Sequence, residues 1–421
     1  MEQYRQEIAQ IRERSVTEGI DIFMSHQVAT FDLIDRLVTE GYRIFRLSTT
    51  ERQEFKECRR RWDFSSMSRQ AIEPKRPATA LWFGHGIHKG LEEHYSGNDG
   101  IKAFDTWAAE EIERISQASN GLWDDQVNEL RDMVELGKGI LEGYIQWSSV
   151  ADLTAQRGFR MVHFTEREFI VPIMDSSHGV TTTDTSYNIA TFTDANGQKW
   201  AMFLVGRLDL IVEDFYERLW VMDHKTSKDK LDIETLTLDD QMTVYLWAAQ
   251  QIFGRRFEGA YYNVLRKKLP VVPKVLVSGK ALSQDKSIDT TYEVYYNEII
   301  KQGFNPDDYK GILTLLQEKP NTFYQREKVR RNQAEILNAG AWLYYEAIDM
   351  LNDPFLYTNP TWDCKWKCDF RELCKAMNRN DDVTFMRENM FQKREEDEAS
   401  VYCRQKIKGS TPAHLVSGDQ Q

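Results

Sequence analysis

Gly206-Arg207-Leu208-Asp209-Leu210 and, thirteen residues beyond Asp209, Met222-Asp223-His224-Lys225-Thr226 hold the densest chemistry in the chain. Asp209 interrupts an apolar strand pattern that runs from Trp200 to Val212. Asp223 and Lys225 end a second, shorter one, Leu219-Trp220-Val221-Met222. Residues i and i+2 of a strand point to the same face, so Asp223 and Lys225 project together. The intervening Glu213-Asp214-Phe215-Tyr216-Glu217 reads as a turn, and the resulting hairpin brings Asp209 alongside both. Two carboxylates and an ammonium then converge at a sheet end, where burial is costly unless each finds a partner or a metal. Hard oxygen ligands of this kind suit Mg²⁺ or Mn²⁺. A salt bridge closing the strand ends would use the same residues.

Working outward, the periodicity predicts one further strand before this pair, over 160–173. Asn196-Gly197 marks a hairpin between them. Upstream, Leu81, Trp82, Ile87, Leu91 and Tyr95 recur at helical spacing over 80–95, and two more helices fill 101–149. Downstream, a helix over 236–253 buries Leu238, Met242, Tyr245, Leu246, Ala249 and Ile252 on one face, and a strand follows over 257–265. Helices, three strands, helix, strand is an α/β order, an antiparallel meander feeding a crossover helix. Residues 1–50 read as an N-terminal helical segment, 51–375 as the main domain, and 270–322 as an insertion with one helix. Residues 323–351 read as one long helix, and 376–421 as a charged tail that frays.

Gly-x-x-Asp, thirteen residues, then Asp-His-Lys resembles the PD-(D/E)XK nuclease superfamily in its RecB-like, iron–sulfur exonuclease branch. Gly84-His85-Gly86-Ile87-His88 resembles the helix histidine of that branch, and Gln241 with Tyr245 its Gln-x-x-x-Tyr pair. The resemblance implies a restriction-endonuclease-like core, a mixed central sheet flanked by helices. It implies that His88, Asp209, Asp223 and the His224 backbone carbonyl ligate Mg²⁺ or Mn²⁺, and that Lys225 is the catalytic lysine. Gln241 and Tyr245 would contact DNA or brace the site. Glu166 would be the acidic helper on the first strand, with Glu168 competing for that role. Taken alone, a histidine such as His88 on an amphipathic helix is more often a satisfied structural residue than a ligand.

Five cysteines in 421 residues do not make a secreted disulfide framework. Cys364, Cys368 and Cys374 follow a Cys-x3-Cys-x5-Cys spacing that lacks the paired Cys-x2-Cys units of a zinc knuckle. With Cys58 as a distant fourth thiolate they can fill a [4Fe–4S] site, as in the iron–sulfur nucleases of the same branch. Zinc and four buried free thiols are the alternatives, and Cys403 matches nothing. A cluster there would clip the chain across about 300 residues, acting as a structural staple.

The net charge of −12 excludes indiscriminate coating of nucleic acid or anionic lipid but not binding through a local patch. Residues 52–76 hold eight basic and four acidic side chains, Arg59, Arg60 and Arg61 among them. A second basic segment, 255–274, includes Arg266, Lys267 and Lys268. Trp62, Phe64, Tyr261 and Tyr262 lie among these charges, a mixture suited to single-stranded nucleic acid, although both tyrosines also fit a strand core. No run of about 18 apolar residues occurs, so a soluble cytoplasmic protein with no membrane partner is expected, and the resemblance implies a bacterial cell or phage-infected host. The composite expectation is a Mg²⁺- or Mn²⁺-dependent deoxyribonuclease, an exonuclease on DNA ends or single strands in recombination, repair or phage DNA metabolism. A helicase or recombinase would work beside it, since no Gly-x4-Gly-Lys-Ser/Thr motif is present. A catalytically silent DNA-binding scaffold subunit is the alternative.

Overall fold

The computed structural model describes residues 2–75, 79–118, 124–154, 157–177, 188–277, 279–352 and 355–394, with the backbone alone for 2–18, 118 and 124–126. Cys403 lies outside these residues. The order begins α1 (Glu2–Thr39), β1 (Tyr42–Ser48), α2 (Thr49–Glu57), α3 (Arg59–Ser65), β2 (Ile72–Pro74) and α4 (Thr79–Tyr95). It continues α5 (Gly100–Ala118), α6 (Asp124–Ala151), β3 (Met161–Pro172), β4 (Thr191–Thr193), β5 (Lys199–Glu213), β6 (Leu219–Ser227), α7 (Ile233–Thr237), α8 (Asp240–Phe253) and β7 (Phe257–Arg266). Then come α9 (Tyr292–Lys301), α10 (Lys310–Glu318), β8 (Tyr324–Arg330), α11 (Gln333–Asn352), α12 (Arg371–Asn378), α13 (Thr384–Met390) and β9 (Phe391–Lys393).

The central mixed sheet runs β1-β5-β6-β7-β8, with β3 and β4 also on β5. Its registers show why a site forms in the middle of it. Residues 203–205 of β5 pair with both β1 and β3, and residues 210–213 pair with both β3 and β6. A strand has two edges, so β1 and β6 must share the edge opposite β3. Between them, Gly206 to Asp209 have no neighbour on that edge, and the sheet forks. The β5–β6 ladder ends at Leu210 opposite Met222, so Asp209 and Asp223 are the next pair outward, just inside the fork. Gly206 suits the crowding there: a Cβ would sit 2.8 Å from the Phe169 ring and 3.1 Å from that of Tyr245.

Alternation sends Tyr262 and Val264 of β7 to one face, against α8 and α11, and Leu265 to the other, against α4, α5 and α6. α8 carries the crossover from β6 to the parallel β7, as the sequence order implied. The core and the flanking helices are therefore the expected ones.

Five expectations about elements are corrected. Residues 42–48, read as the end of the N-terminal helical segment, form β1, whose pairing with β5 is parallel and so leaves no local hairpin signal. Leu238, expected on the buried face of the helix, caps α7 ahead of α8 and is exposed. The 270–322 insertion holds two helices with their own small apolar cluster around Tyr295 and Ile312, and 324–330 is a strand antiparallel to β7 rather than the start of a long helix. Residues 380–394 of the tail do not fray: β9 pairs with β2, and Phe391 stacks on Phe370 at 5.5 Å, while 395–421 lie outside the described residues.

Candidate metal and catalytic site

The fork gathers side chains from five elements. α4 brings His88, whose Nε2 donates to the His224 carbonyl at 2.8 Å. Its Nδ1 lies 3.0 Å from Glu166 Oε1 and 3.4 Å from Asp209 Oδ2. Ligand atoms of His88, Glu166 and Asp209 all lie within 4.8 Å of one another. Asp209 Oδ2 also accepts the His224 amide at 2.7 Å, which ties the β5 carboxylate across the fork to β6. Glu166 has φ +39°, a left-handed conformation that costs a non-glycine residue energy and is here kept next to the acidic group. Glu168, its competitor on the same strand, is taken up by an ion pair with Arg207. His88, not His85, meets the carboxylates.

Asp223 and Lys225 stand beside this group on the same face of β6. Lys225 Nζ lies 3.0 Å from Asp223 Oδ2 and 4.0 Å from Asp239 Oδ2. That ammonium is the polar group the structure gives to the buried Asp223 Oδ2, which has no other hydrogen-bond partner among the described residues. Asp239 caps α8, accepting the Gln241 amide at 3.0 Å. Gln241 in turn hydrogen-bonds the Tyr245 hydroxyl, which also accepts from Thr49 Oγ1 at 3.4 Å at the start of α2.

The electrostatics describe a site short of positive charge. Burial pushes Glu166 up to about 7, with the Asp209 charge adding to it against the pull of His88. Burial likewise raises Asp223 to about 6, Lys225 opposing and Asp209 reinforcing. Burial works against His88 as a cation, yet Asp209 and Glu166 outweigh it and hold the imidazole well above its ordinary value. Burial also opposes the Asp209 charge, but His88 and the His224 amide bring that carboxyl down to about 2. The histidinium thus shares the oxygens a divalent cation would need. The donor set, a histidine nitrogen with carboxylate and carbonyl oxygens, fits Mg²⁺ or Mn²⁺.

Sequence reasoning missed what lies behind His224. Its ring points to the opposite face from Asp223 and Lys225, where Nδ1 accepts from Asn263 Nδ2 at 2.9 Å. Asn263 Oδ1 accepts from Arg326 Nε at 3.3 Å. That guanidinium, wholly buried, also donates to the hydroxyls of Tyr95 and Tyr144 at 3.0 and 2.8 Å and pairs with Asp152. An arginine facing inward from β8 carries no apolar signal, so nothing in the periodicity marked it.

The basic segments do not form the expected groove. Trp62, Phe64, Tyr261 and Tyr262 are core residues, all at 2% exposure or less, and cannot stack on bases. Arg59 lies over the Phe55 ring at 3.5 Å, and Arg61 pairs with Glu54 and Glu57. Arg266 and Lys268 share Asp289, while Lys267 reaches the Ala80 carbonyl at 3.4 Å. Among the described residues, Arg60 alone of the first segment's arginine triplet has no carboxylate partner.

Cys58 is the C-cap of α2, Cys364 and Cys368 come from the segment leading into α12, and Cys374 sits within α12 itself. All four line one cavity of about 470 Å³. The chain therefore does bring the distant cysteine to the other three. Burial and the neighbouring sulfurs raise the thiols of Cys368 and Cys374.

The model of the PD-(D/E)XK nuclease superfamily matches residues 46–375, from β1 through the last of these cysteines. That span is most of the chain, and the protein belongs to this superfamily, whose members are divalent-metal-dependent nucleases. No curated protein matches the chain. No helix among the described residues is long and apolar enough to cross a membrane.

Proposed function

We propose that the protein is a Mg²⁺- or Mn²⁺-dependent deoxyribonuclease that degrades DNA from ends or as single strands. The observation that carries the reading is the meeting of His88, Glu166, Asp209 and the His224 carbonyl at the sheet fork, with Asp223 and Lys225 alongside. These oxygens and the His88 nitrogen would hold the cation, with Glu166 joining the expected ligands rather than only assisting them. Bound there, a divalent cation polarises the phosphodiester and lowers the pKa of an attacking water. Lys225, kept charged by Asp223 and Asp239, orients that water and stabilises charge developing on phosphorus. Gln241 and Tyr245 brace the α8 side of the site and face the DNA. A silent scaffold would have no need of Asp209, Asp223 and Lys225 together, and all three are in place.

The four cysteines are proposed as ligands of a [4Fe–4S] cluster. The support for this reading is that all four line one cavity, and zinc is the alternative occupant of the same thiols. The substrate choice follows the superfamily, and a role in recombination, repair or phage DNA metabolism beside a separate helicase or recombinase accords with it.

Anaerobically purified protein given end-labelled single-stranded, linear duplex and closed circular DNA tests the reading. Degradation of linear substrates with Mn²⁺ or Mg²⁺, abolished by EDTA and sparing circles, is expected. Binding without cleavage under either metal would favour the scaffold. A colourless preparation lacking the broad absorbance near 400 nm would exclude the iron–sulfur assignment.

A further inference from the structure

Trp362 and Trp366 flank Cys364 and are 90% and 75% exposed. Tryptophan is among the most buried residue types on average, so two such rings four residues apart demand a reason. Trp362 lines the cysteine cavity and opens the single 3-10 turn Trp362–Lys365; the amides of Trp366 and Lys367, just past that turn, bond back to the Asp363 carbonyl and keep Trp366 beside it. The cavity lining carries five cations, Arg60, Arg61, Lys365, Arg371 and Lys375, and no carboxylate among the described residues. Arg371 and Lys375 share the one Glu372, and no carboxylate reaches Arg60 or Lys365.

We infer that this rim is a platform for single-stranded DNA, with bases stacked on Trp362 and Trp366 and phosphates met by Arg60 and Lys365. Exposed aromatic faces interleaved with unpaired cations are what a splayed strand recognises, whereas a duplex hides its base faces. The charge is complementary to a polyanion, and the rings would be a liability on a surface that met only water. The platform also lies within reach of the fork. α2 starts at Thr49 against Tyr245 and ends at Cys58, nine residues or about 14 Å of helix. A strand held on the tryptophans can therefore run a few nucleotides along α2 and enter the site. This inference rests on the nuclease reading and adds to it a stacking surface outside the catalytic residues.

The test uses full-length, anaerobically purified protein with two readouts. Affinity for a fluorescent oligothymidylate of about 20 nucleotides is measured by anisotropy in EDTA at fixed salt. Hydrolysis of thymidine 5′-monophosphate p-nitrophenyl ester with Mn²⁺ reports the site itself, since that ester is too short to reach the rim. Trp362→Ala and Trp366→Ala should each weaken oligothymidylate binding about fivefold or more, leaving ester hydrolysis unchanged. Trp362→Phe/Trp366→Phe should restore most of the binding, because a phenyl ring still stacks. Alanine variants that bind like wild type overturn the inference, as does a phenylalanine pair no tighter than either single alanine variant. Wild type that hydrolyses neither ester nor DNA sinks the nuclease reading instead, and the affinity comparison still decides the platform.

Discussion

Arg326→Met tests how the fold holds the site. Arg326 is wholly buried on β8 and pairs with Asp152, whose side chain is about one-eighth exposed. Methionine fills much of the same space but leaves Asp152 a buried anion without its cation, a loss of about 3–5 kcal/mol. It also strips Asn263 Oδ1 of its donor, and Asn263 is what orients the His224 ring. The His224 amide and carbonyl touch Asp209 and His88, so slackness there reaches the proposed ligands two bonds away. Urea unfolding should show the full loss for Arg326→Met and a smaller one for Arg326→Met/Asp152→Asn, in which no unpaired charge remains. Mn²⁺ titration of the single variant should show affinity weakened about tenfold or more, as for other residues that orient a ligand. A variant as stable as wild type would refute the ion-pair argument. Lost stability with unchanged Mn²⁺ affinity would refute the link through Asn263 to His224.

Metal binding should release protons. Glu166 and Asp223 hold protons up to about 7 and about 6, and the neighbouring carboxylates keep His88 protonated well above its ordinary range, so each must give way to the cation. Mn²⁺ affinity should therefore rise steeply from about pH 6 to about pH 8, and calorimetry in buffers of different ionisation enthalpy should count the protons. A flat affinity over that range would contradict the site. Gly206→Ala places a methyl against Phe169 and Tyr245 and should cost about 1–3 kcal/mol in urea unfolding, together with lowered nuclease activity from a displaced Tyr245. Unchanged stability and rate would show that the fork is looser than described. Phe391→Ser removes the ring stacked on Phe370 beside Cys368 and Cys374, and should lower retained iron per protein. Full iron occupancy in that variant would show that β9 does not support the cysteine module.

What could be read in the sequence and what could not divides along physical lines. Asp209, Asp223 and Lys225 were legible because a charge breaking an apolar strand is conspicuous, and strand alternation fixes its direction. Gln241 and Tyr245, four residues apart on α8, follow the same logic with helical spacing. The fork was not legible, since it depends on β1 and β6 sharing one edge of β5 across more than 150 residues. β8 was hidden because its buried residues Tyr324, Gln325, Arg326 and Val329 are mostly polar, and the burial of Arg326 is meaningful only once Asp152, Tyr95, Tyr144 and Asn263 surround it. The basic segments misled for a related reason: local composition shows the cations but not the Glu54, Glu57 and Asp289 that neutralise them. Trp366 stood in plain view between Cys364 and Cys368, and only its exposure distinguishes it from a core residue.

The central claim, that the forked sheet is a metal-dependent phosphodiesterase site, is tested most directly by Lys225→Ala. Wild type and variant are compared for Mn²⁺ binding and for degradation of end-labelled linear DNA. The variant should bind Mn²⁺ and cleave about 100-fold more slowly or worse, since one group stabilising the transition state is gone while the proposed ligands remain. Equal cleavage by the two proteins, or none by wild type with any divalent metal, would contradict the account.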